Sequence, residues 1–368
     1  MQASTIAEIN LDNLAKNAVA VRDLVAPSRV ICVVKADAYG HGAVAVTGHL
    51  IKHGFDFFAV ARLAEAQELR EAGIDAPVLI FGRLFPGQIK EAAKNGFRVT
   101  VFGAEDIEWI EREGCGSPVK VHAKIDTGMG RVGLLSENGP DFFRRLAGSR
   151  ALEIEGLYSH FASADEADLT FARIQLERFR AAVSEASGAG IRPPMIHMSN
   201  SGGVLAIPEA RFSAVRTGIF LYGHYPSGEV TRTLPAHQVM SLKAAVAHVR
   251  NLPANTPVSY GSTWVTPRPS KIAVIAAGYA DGVDRRMGNR CHVLIRGQKC
   301  PIVGRVTMDQ IMADVTGLDA KVGDTALLWG DSDQGSISLL EVSQTIGTIT
   351  YELTCGVGKR VPRIYKDQ

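Results

Sequence analysis

The sequence predicts an N-terminal (β/α)8 barrel of the TIM type, followed by a C-terminal, mainly β domain. Roughly eight short apolar segments alternate with helix-like stretches in the N-terminal part of the chain, which is the pattern of such a barrel. After that part, short β-rich runs follow one another between turn residues. The length of 368 residues suffices for a barrel and a smaller domain. We therefore expect two domains, at residues 1–235 and 236–368.

The predicted barrel strands are short, apolar and rich in β-branched residues, as is typical of strands buried on both faces of a parallel sheet. They are Val30–Val34, Phe57–Ala61, Val78–Phe81, Val99–Phe102, Val119–Ile125, Ile154–His160, Met195–Met198 and a weaker Phe212–Val215. The predicted helices are Leu11–Val25, Ala43–Lys52, Leu63–Ala72, Pro86–Lys94, Ala104–Arg112, Gly139–Leu146 and Leu169–Ser187. The last two helical positions, near Gly203 and Ile219, are weakly marked.

The C-terminal part reads as strands with one helix, predicted at Ser338–Ile346. Arg296-Gly297-Gln298 is expected to form a hairpin turn. The predicted strands are Lys271–Ala276, His292–Ile295, Pro301–Val306, Met312–Val315 and Thr325–Leu328.

Composition excludes several functional classes. Hydrophobic residues make up 46% and charged residues 21% of the chain, which disfavours disorder. The net charge is +2 with no run of basic residues, so neither nucleic acid nor a membrane surface is an expected partner. We see no secretory signal and no apolar run of membrane-spanning length. The five dispersed cysteines contain no C-x-x-C pair, so we expect a cytoplasmic protein without a metal cluster.

Lys35 directly follows the unbroken apolar run Val30–Val34, at the end of a predicted strand where a βα loop begins. That loop contains Tyr39 and two glycines, Gly40 and Gly42, which let the backbone approach a ligand closely. The carboxyl ends of strands carry the chemistry of α/β folds, and a desolvated lysine amine is a nucleophile toward carbonyl groups. On position alone a solvent-facing lysine is the commoner outcome, so the motif around it has to decide.

The stretch VKADAYGHG, residues 34–42, resembles the cofactor-attachment motif of alanine racemases. In that family the lysine carries pyridoxal 5'-phosphate (PLP), so the resemblance makes Lys35 the attachment residue. The similarity covers essentially the whole chain, and the further motifs follow in the expected order. It implies the fold type III barrel of these enzymes.

The fifth predicted strand carries charged residues on one face. VKVHAKID, residues 119–126, alternates apolar and polar positions, so its polar set should point into the barrel lumen. Lys124 then needs an anionic partner. The following DTGMGRVG, residues 126–133, is similar to alanine racemases, in which the lysine is often carbamylated and orients an arginine, here Arg131, that contacts the substrate carboxylate. Taken alone, Arg131 fits an exposed, glycine-driven loop equally well.

Three more motifs follow predicted strands six, seven and eight: SHFASAD at 159–165, HMSNSGG at 197–203 and RTGIFLYG at 216–223. Phosphate sites in barrels are commonly built after the last two strands. By resemblance, His160 supports Arg216, which faces the pyridine nitrogen of PLP. The resemblance assigns these residues to the cofactor: Lys35, Tyr39, His160, Asn200, Ser201, Arg216, Gly218, Ile219 and Tyr351.

Motifs of the second domain also match the family: VSYGST at 258–263, AGYADG at 277–282, GRVTMDQ at 304–310 and TYEL at 350–353. The resemblance makes Tyr260 the second catalytic base beside Lys35, and gives Met308 a backbone contact with the substrate carboxylate. It also places an entrance channel at Tyr279, Arg285, Arg305, Asp309 and Ile349.

The resemblance implies a PLP-dependent racemase that interconverts L- and D-alanine. A proton must leave one face of Cα and return on the other, which one residue in a fixed site does not easily do. Lys35 is expected to serve the D face and Tyr260, from the other subunit of a homodimer with shared sites, the L face. Supply of D-alanine for peptidoglycan and alanine catabolism both remain open as the biological role.

Three alternative functions are considered. A basic amino-acid decarboxylase on the same barrel is disfavoured, because such enzymes place a carboxylate where this chain has Arg216. A PLP-binding protein without catalysis is disfavoured by the second domain and Tyr260, since those relatives are barrels alone. A racemase of different or broader substrate range remains open, because pocket size depends on side-chain placement.

Overall fold

The computed structural model describes residues 3–136 and 139–366. Its N-terminal part is a closed barrel of eight parallel strands, in which the last strand pairs with the first, as the sequence predicts. In barrel order the strands are Arg29–Val33, Phe58–Val60, Val78–Ile80, Arg98–Val101, Val119–Asp126, Leu152–Tyr158, Met195–His197 and Ala214–Thr217. A two-residue strand, Leu134–Leu135, pairs beside Val119–Asp126 at the barrel rim.

Helices cover the outside of the barrel and bury their apolar faces against it. They are Leu11–Val25, Ala43–Lys52, Leu63–Glu71, Gln88–Lys94, Ala104–Glu113, Gly139–Gly148, Thr170–Gly188 and the short Ser201–Ala206. Only 3₁₀ turns, Pro208–Ala210 and Ile219–Tyr222, flank the last strand. Among the described residues, the eighth strand is followed by a 3₁₀ turn and not by an α-helix. Leu11–Val25 packs against Ile219–Tyr222 and Ala43–Lys52, so it takes the place of that helix.

A second sheet follows the barrel and contains nine strands among the described residues. Its strands are Thr5–Asn10, Met240–Leu252, Ser270–Ile275, His292–Ile295, Gln298–Pro301, Ile311–Asp314, Thr325–Ser332, Gly335–Ile337 and Arg363–Lys366. A separate hairpin joins Pro257–Val258 to Trp264–Val265, 3₁₀ turns lie at Tyr260–Ser262, Tyr279–Asp281 and Arg285–Met287, and the helices are Leu339–Ile346 and Thr350–Cys355. The mainly β character of this part is confirmed.

The first strand of the chain belongs to this second sheet. Thr5–Asn10 pairs antiparallel with Met240–Leu252 and parallel with Arg363–Lys366. The chain therefore starts in the C-terminal sheet and enters the barrel through the helix Leu11–Val25. The division at residue 235 stays a prediction.

One predicted strand, Pro301–Val306, is wrong. Arg296 and Gly297 have φ values of 50° and 76°, so they form a two-residue hairpin turn of the type that positive φ at both positions allows. The returning strand therefore begins at Gln298 and ends at Pro301, opposite His292. Beyond it, Ile302 makes only an isolated bridge to Ala313.

Among the described residues, the search for a helix that is both long and apolar enough to span a bilayer finds none.

Asn17 joins the barrel to the segment that leaves it. Its side chain is fully buried and donates to the carbonyl oxygens of Leu221 and His237 at 3.1 and 2.8 Å. It also accepts from the amide of His237 at 2.9 Å. One side chain thus satisfies three backbone groups near the end of the barrel.

We expect Asn17→Ala to lower the free energy of unfolding by about 2 kcal/mol, because buried backbone groups lose their partner. The matched control is Lys16→Ala, which changes an exposed residue of the same helix. Urea unfolding of both variants measures the difference. Equal stability of the two variants would contradict this role for Asn17.

Candidate active site

A cavity of about 430 Å³ lies where the barrel strands end. The structure brings together here every residue that the sequence assigns to the cofactor, together with Lys124 and Arg131. The lining residues are Val33, Lys35, Tyr39, Ala61, Phe81, Gly82, Lys124, Arg131, Val132, Tyr158, His160, Asn200, Ser201, Arg216, Gly218, Ile219 and Tyr351.

The remaining predicted site residues do not line this cavity. Tyr260 and Met308 lie in the C-terminal part, with 72% and 53% of their surfaces exposed. Tyr260 borders a separate groove together with Thr307. The predicted channel residues are also outside the cavity: Tyr279, Arg285, Arg305, Asp309 and Ile349. Within one chain, Lys35 and Tyr260 are therefore not in the same pocket.

Lys35 opens a left-handed turn. The four residues after it, Ala36 to Tyr39, have φ values of 51–54° although none is glycine. Each L-residue in this conformation costs roughly 1–2 kcal/mol. The sequence predicts a glycine-punctuated loop here, and the glycines do follow, but the strained residues are those between Lys35 and Gly40.

Hydrogen bonds from three side chains hold this turn. Glu65 accepts from the amide of Ala36 at 2.6 Å, and Asp37 accepts from the amide of Ala43 at 2.7 Å. The ring of His41 donates through Nδ1 to the carbonyl oxygens at positions 38 and 39. Burial lowers the pKa of His41 to about 3, so its ring is neutral. Side-chain hydrogen bonds from within the turn, from just after it and from Glu65 on a later helix thus hold the conformation that follows Lys35.

Lys35 is partly buried, and its ammonium form is disfavoured. Burial lowers its pKa, and the positive charge of Arg131 lowers it further. A lowered lysine pKa increases the fraction of neutral amine, which is the nucleophilic and basic form. The cavity therefore contains a lysine suited to attack a carbonyl group or to accept a proton.

Arg216 lies at the bottom of the cavity and is 3% exposed. Its Nη1 donates to Nδ1 and the carbonyl oxygen of His197, at 2.8 and 3.1 Å. Its Nη2 donates to the carbonyl oxygens of Ser159 and Met198, and to Nδ1 of His160 at 2.9 Å. Within residues 3–136 and 139–366, Nε takes part in no hydrogen bond, so this donor remains for a ligand.

Tyr158 and Lys124 complete the floor. The ring of Tyr158 lies 5.2 Å from the guanidinium of Arg216 and 5.3 Å from Nζ of Lys124, distances at which an aromatic face attracts cations. Burial, and then the charge of Arg216, lower the pKa of Lys124 to about 7. Sequence reasoning does not single out Tyr158, although this residue ends the sixth strand two positions before His160.

Asp126 shapes the loop that carries Arg131. Its carboxylate accepts from the amides of Gly128, Met129 and Arg131 at 2.9, 2.8 and 3.1 Å. These bonds lower the pKa of Asp126, because they stabilise the carboxylate form. The Arg131 side chain is exposed at the rim and lines the cavity. It is placed to meet an anion that enters.

Tyr39, Ser201 and Gly218 form a polar cradle on the opposite side. Ser201 Oγ accepts from the amide of Gly218 at 3.1 Å. A Cβ at Gly218 would lie 2.4 Å from the hydroxyl oxygen of Tyr39, so only glycine leaves room for that hydroxyl. Asn200 accepts from the amide of Gly203 at 2.9 Å and fixes the turn that presents Ser201. Hydroxyl and amide groups of this kind bind phosphate.

The cavity therefore combines a basic amine, several cations and a cradle of neutral donors. This set suits an anionic ligand with a carbonyl group. The described part of the chain contains no cluster of three or more metal-binding side chains.

Comparison with known proteins identifies relatives over almost the whole chain. The family model for the alanine racemase N-terminal domain matches residues 9–226, and that for the alanine racemase C-terminal domain matches residues 239–365. Alanine racemase 2 of Caldanaerobacter subterraneus subsp. tengcongensis is 41% identical, over 98% of this chain and 94% of its own length. Alanine racemase of Methanococcus maripaludis is 42% identical, over 98% of both chains.

Solved structures agree with the sequence relatives. The crystal structure of alanine racemase from Streptomyces lavendulae, a D-cycloserine producer, superposes with a TM-score of 0.94 at 34% identity. The superposition covers all of this chain and 98% of the S. lavendulae chain. That of alanine racemase from Bacillus anthracis with bound L-Ala-P has a TM-score of 0.94 at 36% identity, over 100% of this chain and 96% of its own.

We predict that Glu65 stabilises the left-handed turn after Lys35. Its carboxylate accepts from the amides of Ala36, Ala61 and Arg62 at 2.6, 2.8 and 2.9 Å. Glu65→Ala should lower the free energy of unfolding by about 2 kcal/mol, since three amides lose a charged acceptor. It should also speed hydrogen exchange at the Ala36 amide. Glu68→Ala, an exposed change on the same helix, is the control. Exchange at Ala36 equal in the two variants would refute the role.

Proposed function

The chain belongs to the alanine racemase family of isomerases, and from that premise we propose that it binds PLP and interconverts L- and D-alanine with two bases. One observation carries the proposal. Lys35, whose pKa is lowered, lines the same barrel-end cavity as the Tyr39, Ser201 and Gly218 cradle. Arg216 lines it too, and its Nε makes no hydrogen bond to any residue that the structure describes.

The residues of the cavity fit PLP. Lys35 can form the covalent link to its aldehyde carbon, since it supplies a neutral amine. The phosphate would be held by Tyr39, Ser201, Gly218, Ile219 and Tyr351, with Asn200 next to them. Arg216 would direct its free Nε to the ring nitrogen, while His160 accepts from its Nη2. When bound, PLP supplies an electron sink conjugated to Cα of the amino acid.

Lys35 and Tyr260 divide the proton transfer. We assign removal and return of the Cα proton on the D face to Lys35, and on the L face to Tyr260. Arg216 can donate a hydrogen bond but not, at working pH, a proton. It would therefore leave the ring nitrogen neutral and the electron sink weak. By leaving the ring nitrogen unprotonated, Arg216 would favour return of the proton to Cα over transamination.

Arg131 and Met308 are assigned to the substrate carboxylate. Arg131 offers a guanidinium at the rim of the cavity. The Met308 carbonyl oxygen accepts from the amide of Ala280 at 3.0 Å, whereas its own amide donates to no acceptor in the described part of the chain. That free amide is available to a carboxylate. The B. anthracis relative was solved with L-Ala-P bound, which supports alanine as the substrate here.

The position of Tyr260 supports a homodimer with shared sites. Tyr260 and Met308 lie together in the C-terminal part, exposed and away from the cavity of their own chain. In a two-fold, head-to-tail pair each subunit would bring these residues to the cavity of the other. The channel residues would come with them: Tyr279, Arg285, Arg305, Asp309 and Ile349.

In the cell we assign the enzyme to the cytoplasm. There it would supply D-alanine for peptidoglycan or, in the reverse direction, feed D-alanine into catabolism. The same cavity residues serve both directions, because a racemase approaches one equilibrium from either side.

The first prediction is the reaction itself. Purified protein with PLP should convert L-alanine to a mixture of both enantiomers, measured by chiral chromatography. Lys35→Ala should reduce kcat by about 10³-fold, because a base is lost. The control is Lys52→Ala, an exposed lysine at the end of a helix.

Other outcomes of the same assay separate the alternatives. PLP binding without racemisation of any amino acid would identify a non-catalytic PLP-binding protein and refute the proposal. L-serine or L-lysine turned over as fast as L-alanine would indicate a broader-specificity racemase.

The second prediction is that Lys124 carries a carbamate. Its neutral amine is abundant near pH 7, since burial and Arg216 lower its pKa to about 7, and a neutral amine adds CO2 with release of a proton. The resulting anion would pair with Arg131 and remove an uncompensated buried cation. Carbon NMR with labelled bicarbonate should show a carbamate signal that Lys124→Ala abolishes. An active wild-type protein without that signal would reject the modification.

The third prediction tests the shared site. Lys35→Ala and Tyr260→Phe chains are each expected to be inactive, and are mixed under conditions that allow subunit exchange. In a mixed dimer one site receives both changes and the other neither, so activity should return to roughly a quarter of wild type if pairing is random. Activity that stays at the level of the separate variants would show that each site is built within one chain.

A further inference from the structure

A row of buried polar side chains runs through the barrel beneath Arg216. Nη1 of Arg216 contacts Nδ1 of His197 at 2.8 Å, and Nε2 of His197 contacts Nδ1 of His122 at 2.8 Å. Nε2 of His122 lies 3.3 Å from the carboxylate of Glu155. Arg98 binds that carboxylate with two contacts, at 2.8 and 3.0 Å. The two histidines are fully buried.

Only one arrangement of protons satisfies every contact in this row. A guanidinium donates and never accepts, so Nδ1 of His197 must be unprotonated. A neutral His197 then carries its proton on Nε2 and donates to Nδ1 of His122. His122 in turn carries its proton on Nε2 and donates to Glu155. A second proton on either histidine would place two N–H groups face to face.

We propose that His197 and His122 are positioning residues for Arg216, and that Glu155 sets the direction of their hydrogen bonds. The role assigned to Arg216 rests on the proposed function, whereas the proton arrangement does not. The row holds Nη1, which leaves Nε directed to the cavity. Neither histidine directs an N–H group toward Arg216. The row therefore does not deliver a proton to the cavity.

The surroundings keep both histidines neutral. Burial lowers the pKa of His197 well below its usual value, and the charges of Arg216 and Lys124 add to the effect. Burial also lowers the pKa of His122, with Arg98 and Arg216 acting in the same direction and Glu155 opposing them. The ring of Tyr158 stacks on His197, with centroids 4.9 Å apart and planes 5° from parallel. It therefore covers the ring of His197.

The direct test is nitrogen NMR of the full chain labelled with ¹⁵N-histidine. Signals are assigned by omission in the variants His122→Gln and His197→Asn. Between pH 6 and 8, both histidines should be neutral, with a protonated Nε2 and a bare Nδ1. An Nδ1–H form or a cationic ring at either position would overturn the proposal. Because this readout needs neither cofactor nor substrate, it is independent of whether the chain racemises alanine.

Glu155→Gln tests the link to Arg216, with Asp106→Asn as a matched control. Asp106 is a buried carboxylate paired with Arg83 at 2.6 Å elsewhere on the barrel. Glu155→Gln should shift the His122 and His197 signals and lower kcat for alanine about tenfold, the effect typical of groups that orient a site residue. KM should stay unchanged, because the substrate carboxylate is bound elsewhere.

Asp106→Asn should leave both histidine signals and kcat unchanged, although it also removes the charge of a buried carboxylate that pairs with an arginine. A folded Glu155→Gln variant with wild-type histidine signals and wild-type kcat would overturn the proposal. Equal losses of kcat in the two variants would overturn it as well, because loss of stability would then explain both. If Glu155→Gln does not fold, the wild-type spectra decide.

Discussion

Arg216 carries a positive charge in the interior of the barrel. Burying this charge is costly, and the surrounding groups satisfy its hydrogen bonds. An unpaired buried charge is strongly unfavourable. No carboxylate contacts Arg216 within the described residues; instead, backbone carbonyl oxygens and the Nδ1 atoms of His160 and His197 accept its Nη hydrogens. Neutral acceptors leave the charge uncompensated, and burial lowers the pKa of Arg216 to about 10. The positive field remains in the cavity.

That field acts on the other ionisable groups of the site. Burial lowers the pKa values of Lys124, His160 and His197, and the charge of Arg216 lowers them further. Arg131 has a similar effect on Lys35. The positive field thus favours the neutral forms of these bases while it attracts anions. These two properties are what a site needs in order to bind a phosphate and a carboxylate and still contain a lysine that accepts protons.

Much of this could be predicted from the sequence, because the signals are local. The barrel strands alternate with helices, and the helices Leu11–Val25 and Ala43–Lys52 lie where periodicity predicts them. Most cavity residues lie at or just after the ends of barrel strands and come together when the barrel closes, whereas Tyr351 lies in the C-terminal helix Thr350–Cys355. Thr5–Asn10 could not be assigned in this way, because its partners, Met240–Leu252 and Arg363–Lys366, lie more than 200 residues away in the chain.

Contacts between residues that are far apart in the chain also could not be predicted from the sequence. Glu65 reads as an ordinary residue in the first turn of a helix, yet it holds the amide after Lys35. The left-handed turn from Ala36 to Tyr39 has no clear signature, since Asp37 alone among its residues is of a type enriched at positive φ. The alternation of apolar and polar residues predicts that His122 faces the barrel lumen. It does not predict the contact of His122 with His197.

The central claim is that Arg216 offers a hydrogen bond and no proton to the ring that the cavity is built to hold. The most direct measurement is the nitrogen NMR signal of PLP labelled with ¹⁵N in its ring, bound to the wild-type protein near neutral pH. The account predicts the resonance of an unprotonated, hydrogen-bonded pyridine, whereas Arg216→Glu should give a pyridinium resonance, because a carboxylate stabilises the protonated ring. A pyridinium resonance in the wild-type protein would contradict the account.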